Sequence, residues 1–137
     1  MSRLIRFGFA IAILAPLLSV FVFASDSAVE YKVLATNKTS TTQKEMNEAA
    51  DAGFRYGGVM GGETSFGGSE VVTVMYRTPD AERGRFGYRL LATSKTSTMQ
   101  KELLEAGAEG FEFVGVTVGD TAMGGAEVIS ILRRIRK

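Results

Sequence analysis

The sequence predicts an α+β domain made of two tandem β-α-β-β units, and three observations predict it. Tyr31–Arg77 aligns without a gap with Tyr88–Arg134 at a constant offset of 57 residues, and 24 of the 47 pairs are identical. Each copy runs through the same order of signals: a Tyr/Val/Leu-rich stretch, apolar residues at three- and four-residue steps, then two further apolar runs. Glycine clusters divide the later runs, and Thr78–Gly87, with Pro79, Asp80 and Gly84, divides the copies. An ungapped repeat marks two copies of one supersecondary unit, and a unit of 47 residues buries too little surface to stand comfortably alone. The copies are therefore expected to close over a shared interior as one pseudo-two-fold domain spanning residues 25–137, with repeats 31–77 and 88–134 and a linker 78–87. Their strands would form one antiparallel sheet or two facing sheets, with both helices packed on strand faces.

Each element has its own signal. Glu30–Thr36 and Tyr88–Thr93 alternate partially between apolar and polar, as half-buried strands do. Ser40 with Gln43, and Ser97 with Gln100, have the spacing of a capping box, which predicts helix starts there. Met46, Ala49, Ala50 and Gly53, then Met99, Leu103, Ala106 and Gly110, each form a stripe facing a core. Gly53 and Gly110 should end the helices, because glycine accepts the left-handed backbone of a helix stop. Second strands begin at Phe54 and Phe111, turn-forming segments occupy Gly61–Gly68 and Val118–Gly125, and third strands cover Glu70–Arg77 and Glu127–Arg133. Phe66 and Met123 are expected to pack back onto the sheet. Val128–Leu132 is apolar on nearly both faces, so the sheet should be covered on both sides or face a second chain.

Residues 1–24 read as an export segment. Arg3 and Arg6 form a basic start, Phe7–Phe23 is apolar apart from Ser19, and Val22-Phe23-Ala24 offers small residues for cleavage before Ser25. The same run, held by its two arginines, is long enough for the second reading, an inner-membrane anchor over residues 7–23. Either way the repeat lies outside the cytoplasm, in the periplasm or secreted. Removing residues 1–24 takes two basic residues and no acid, which moves the formal charge from +1 to −1. Only Arg133, Arg134, Arg136 and Lys137 cluster positively, and a solvated chain end accounts for them, so no nucleic-acid partner is expected. The chain has neither Cys nor His, which removes disulfides, thiolate nucleophiles and the usual ligands for transition metals.

Three segments together carry a family resemblance: Tyr88-Arg89-Leu90-Leu91, the run from Glu102-Leu103-Leu104-Glu105 through Ala108-Glu109-Gly110-Phe111 to Val114, and a strand ending in Arg133-Arg134. This pattern resembles the small bacterial DUF 4177 family, a domain of unknown function whose members similarly read as strand, Glu-Leu helix, Ala-Glu-Gly with an aromatic, and a strand ending in basic residues. The likeness covers residues 31–134 and implies a fold but no activity. Family members usually carry one copy with Trp after the glycine, where this chain has two copies with Phe54 and Phe111, so their assembly state does not transfer.

Identity between the copies is uneven. Ten of the twelve pairs from Leu34–Glu45 against Leu91–Glu102 are identical, and the shared run is polar: Lys38, Thr39, Ser40 and Thr41 against Lys95, Thr96, Ser97 and Thr98. Free N–H groups, hydroxyls and a lysine at a helix start suit phosphate or carboxylate, so these residues are candidate anion sites. Capping explains the serines and glutamines locally, but it does not call for Lys38 or Lys44. The glycine-rich segments Gly62–Glu70 and Gly119–Glu127 lack the alternating oxygen ligands of a calcium loop and the Lys-Ser/Thr of a phosphate-binding loop, and read as hairpin connections. No metal, cofactor or catalytic residue is assigned. Glu45, Glu48, Glu63 and Glu70 supply the only catalytic alternative, a small envelope hydrolase or transferase working with paired carboxylates. The preferred reading is an exported, non-enzymatic binding module for an envelope protein or small anion. A homodimer is compatible with it, and membrane attachment requires an uncleaved N-terminus.

Overall fold

The computed structural model describes residues 28–63, 69–121 and 123–137. The expected signal or anchor segment lies outside them, as do Phe66 and the tip of the first glycine-rich turn. In chain order the elements are β1 (Glu30–Thr36), α1 (Thr39–Asp51), β2 (Arg55–Glu63), β3 (Ser69–Arg77), β4 (Phe86–Thr93), α2 (Thr96–Ala108), β5 (Glu112–Asp120) and β6 (Ala126–Ile135). The protein is thus α+β with two helices. Its strands form two three-stranded antiparallel sheets, β1-β3-β2 and β4-β6-β5, rather than one continuous sheet. Each sheet keeps its own copy's third strand in the middle, and each carries an irregularity at the same place, between Tyr56 and Gly58 and between Phe113 and Gly115.

The helix stops follow expectation. Gly53 and Gly110 have φ of +93° and +85°, and each amide donates to the carbonyl three residues back, Gly53 to Ala50 at 2.9 Å and Gly110 to Gly107 at 3.0 Å. The next amides, of Phe54 and Phe111, reach back to Ala49 and Ala106 at 3.0 Å, completing the Schellman arrangement that fills the last free carbonyls.

The helix starts do not. Lys38 and Lys95 occupy the N-cap positions without a side-chain cap, so Ser40 and Ser97 lie inside the first turn and no capping box forms. Thr36 and Thr93 instead accept from the Lys38 and Lys95 amides at 3.2 Å. Gln43 turns away to accept the Leu90 amide of β4 at 2.8 Å. A strand amide held against a helix has no water to turn to, whereas the first helical amides do, so the glutamine serves the group that is costlier to leave unpaired.

The register assigns the paired strand residues their faces. On the first sheet Leu34, Val71, Thr73 and Met75 face α1, whereas Tyr31, Val33, Met60, Val74 and Tyr76 face away. On the second sheet Leu91, Ser130 and Leu132 lie on one face, with Phe113, Val116 and Val118, and Tyr88, Leu90, Ile129 and Ile131 lie on the other. One core joins α1 (Met46, Ala49, Ala50), the α1-facing side of the first sheet (Leu34, Val71, Met75) and the second sheet's Tyr88, Leu90, Ile129 and Ile131. The sheets therefore stack in one direction, the helix-bearing face of the first against the helix-free face of the second. Ile129, Ile131 and Leu132 are all buried, so β6 is covered on both faces as its apolar run required. Each such side chain removed from water is worth about 1.5–3 kcal/mol.

This directionality departs from the expected two-fold relation, under which contacts would be reciprocal. Tyr88 is 4% exposed and its counterpart Tyr31 is 70% exposed. The helices differ likewise: Met46, Ala49 and Ala50 are buried in α1, but in α2 only Ala106 is, with Met99 and Leu103 half-buried and Gly110 exposed. Met123, expected to fold back onto the sheet, points into water. The C-terminal arginines are not merely solvated. Arg133 and Arg134 lie over the Phe86 and Phe111 rings at 4.8 and 4.6 Å, and Arg136 reaches α1, pairing with Asp51 and donating to Asn47 at 2.8 Å.

Candidate functional site

Three kinds of site deserve weighing: the polar helix starts, the clefts, and the apolar faces. Lys38, Ser40, Lys95, Thr96 and Ser97 are exposed, and Thr39, Thr41 and Thr98 are half-buried. In the first copy Thr39 lines a cleft of about 230 Å³ with Asn37, Gly61, Gly62 and two acids, Glu70 of β3 and Asp120 of β5. Those carboxylates oppose an anion there, and they bring acids of both copies to one cleft. Lys44 has a local role, 3.7 Å from Glu48 one turn on, and Lys101 repeats it 3.8 Å from Glu105.

The catalytic alternative finds little geometry. Glu48 is a solvated helix charge, Glu45 lies on the same helix, and the Glu63 side chain is outside the described residues. Among the described residues no three acids gather to hold a metal ion. Ser130 and Thr73, at equivalent places on the middle strands, carry buried hydroxyls without hydrogen-bond partners, but both are sealed from any substrate. A wider groove of about 790 Å³ runs along the C-terminus, where Glu109 and Glu112 alternate with Arg133, Arg134 and Arg136. Its Glu109 is already paired: Arg89 grips that carboxylate with bonds of 3.0 and 2.7 Å, which holds it below the usual range and raises the Arg89 guanidinium.

The apolar faces are different, because the chain itself shows what such faces do. Where the sheets meet, α1 clamps the outer edge of β4. Asn47 accepts from the Tyr88 amide at 3.0 Å and donates to its carbonyl at 2.9 Å, while Gln43 takes the Leu90 amide. The Tyr88 hydroxyl accepts from the Tyr56 amide at 2.8 Å, and burial pushes that phenol above its ordinary 10.0. Glycines let the backbones approach. A Cβ on Gly115 would stand 2.0 Å from the Tyr56 hydroxyl, and one on Gly61 would stand 2.0 Å from the Val118 carbonyl oxygen.

Each half of that contact has a counterpart left open. The back of the first sheet, equivalent to the buried face of the second, exposes Tyr31, Val33 and Met60, and forms a shallow apolar depression of about 410 Å³ with Gly57, Gly58, Val74 and Tyr76. The Tyr31 and Tyr76 rings pack at 6.5 Å across it, and the Arg55 guanidinium covers Tyr76 at 4.5 Å. At the opposite end, the α2-bearing face of the second sheet exposes Leu104 at 66%, Phe113 at 53%, Val116 and Val118. Large exposed apolar patches are a common mark of interaction surfaces in proteins generally. Sequence reasoning missed both faces, although Tyr31 and Phe113 stood in the repeat alignment as the partners of Tyr88 and Tyr56. The alignment gives equivalence and cannot say which member of a pair is covered.

The chain matches no family model, and comparison with curated proteins and with solved structures finds no similar one. Among the described residues no helix is long and apolar enough to cross a membrane.

Proposed function

We propose that this protein is an exported, non-enzymatic interaction module that binds through the two apolar faces at opposite ends of its stacked sheets. The observation that carries the reading is the contrast between equivalent residues: Tyr88 and Leu90 are buried in a specific contact, whereas Tyr31 and Val33 present the same surface to water. Exposed aromatic and aliphatic side chains on strands are costly to leave uncovered, and an open strand edge invites pairing. Export rests on Arg3, Arg6 and the apolar run to Ala24. Apart from Glu70 and Asp120 at one small cleft, acids such as Glu48 and Glu109 are solvated or held by a basic side chain, and the unpartnered hydroxyls of Thr73 and Ser130 are sealed, which favours binding over turnover.

Photo-crosslinking inside the cell tests this directly. A photoreactive residue at position 31 or 104 is expected to give a discrete adduct with another polypeptide, and the same residue at position 48, on the wet side of α1, is not. Absence of adducts from both faces, together with turnover in a screen of hydrolytic substrates, would contradict the reading.

A further inference from the structure

We propose that the occupant of these faces is a second copy of this chain, stacked head to tail so that the α2-bearing face of one molecule covers the back of the first sheet of the next. The inference rests on the interaction-module reading and names its partner. Its basis is that the contact inside the chain is itself a head-to-tail joint between two copies of one unit, so the described residues leave one unused half of each kind.

The correspondence is residue by residue at the 57-residue offset. Gln43, which accepts the Leu90 amide, becomes Gln100, exposed on α2 and free to accept the Val33 amide of the next molecule's β1 edge. The Tyr56 amide, which donates to the Tyr88 hydroxyl, becomes the Phe113 amide facing Tyr31. The Tyr56 ring over Gly115 becomes the Phe113 ring over Gly58, where a Cβ would meet nothing within 4 Å and the space is vacant.

Two substitutions make the outer joint weaker than the inner one. Asn47 becomes Leu104, which trades two hydrogen bonds to a strand edge for apolar contact. Gly61 becomes Val118, whose side chain must fit where even a methyl group stands 2.0 Å from a carbonyl oxygen inside the chain. The outer stack is therefore wider at that corner and reversible. Because a head-to-tail contact leaves the same free faces at each end, it closes only as a ring or continues as a fibre.

The test uses the full chain, expressed with its own N-terminal segment and recovered as the cell processes it, with mass measured by sedimentation from about 5 µM to about 500 µM, a range that spans micromolar affinities. Wild type is expected to gain mass beyond one chain as concentration rises. Val33→Asp blocks the receiving face and Leu104→Asp the inserting face; both replace side chains already more than half in water, so both fold. Each variant alone is expected to stay monomeric, and an equimolar mixture to form a one-to-one pair, which no contact between like faces can produce. Val118→Gly is expected to tighten association about tenfold by letting the backbones approach. The inference is overturned if wild type stays monomeric throughout, if the mixture does not pair, or if Val118→Gly abolishes association. Monomeric wild type with crosslinks from positions 31 and 104 to a different polypeptide would overturn self-stacking alone; monomeric wild type with no crosslinks would overturn the module reading with it.

Discussion

Tyr31 and Tyr88 lie near the start of the first strands of the two copies, pair in the same register with the middle strand, and lead into near-identical sequence, yet one stands in water and the other is sealed in the core. The difference lies in what faces them. Tyr88 meets α1 and β2 of the first copy, and among the described residues no such unit faces Tyr31. The comparison teaches that burial here belongs to the joint between units, and that a tandem pair contains one joint and two open ends.

The largest expected effect comes from cutting the two tyrosines. Tyr88→Ala should cost about 3–5 kcal/mol, as other large core aromatics do, whereas Tyr31→Ala should stay within about 0.5 kcal/mol in dilute protein. Urea midpoints at low concentration measure both, and similar losses would break the comparison. Next, Asn47→Leu makes α1 read like α2 and strands the Tyr88 amide and carbonyl, so it should cost about 1–3 kcal/mol, while the reverse change, Leu104→Asn, should be nearly neutral. Gly61→Ala forces a methyl group onto the Val118 carbonyl and should cost about 1–3 kcal/mol, whereas Gly58→Ala, with open space around it, should change little. Thermal unfolding of the four variants sharpens which copy holds the joint.

The helices, their glycine stops and the succession of elements along the chain were legible because periodicity and φ > 0 are local demands that residues such as Met46 and Gly53 state on their own. The order of strands within each sheet, the sheet division, the fate of Gln43 and the direction of stacking were not. Gln43 and Gln100 are identical letters in the same local context, and only the strand edge across from α1 decides that the first bonds Leu90 while the second stays free. The anion candidates behave in the opposite way. Lys38–Thr41 drew notice for being repeated, but their surroundings add Glu70 and Asp120 rather than a converging cation.

The smallest effect is on pH dependence. Burial raises the Tyr88 phenol above 10.0 in the folded state, so its contribution is fully present below that pH and is lost as pH climbs through its folded value. Stability should fall in that alkaline window, and Tyr88→Phe should lessen the fall, with Tyr56, raised for the same reason, carrying the remainder. A pH series of urea midpoints checks it.

The most direct test of the one-way joint is amide hydrogen exchange in dilute protein. The Tyr88 and Leu90 amides, held by Asn47 and Gln43, should exchange slowly, and the equivalent Tyr31 and Val33 amides on the open edge of β1 should exchange fast. Leu90 exchanging as fast as Val33 would contradict the account.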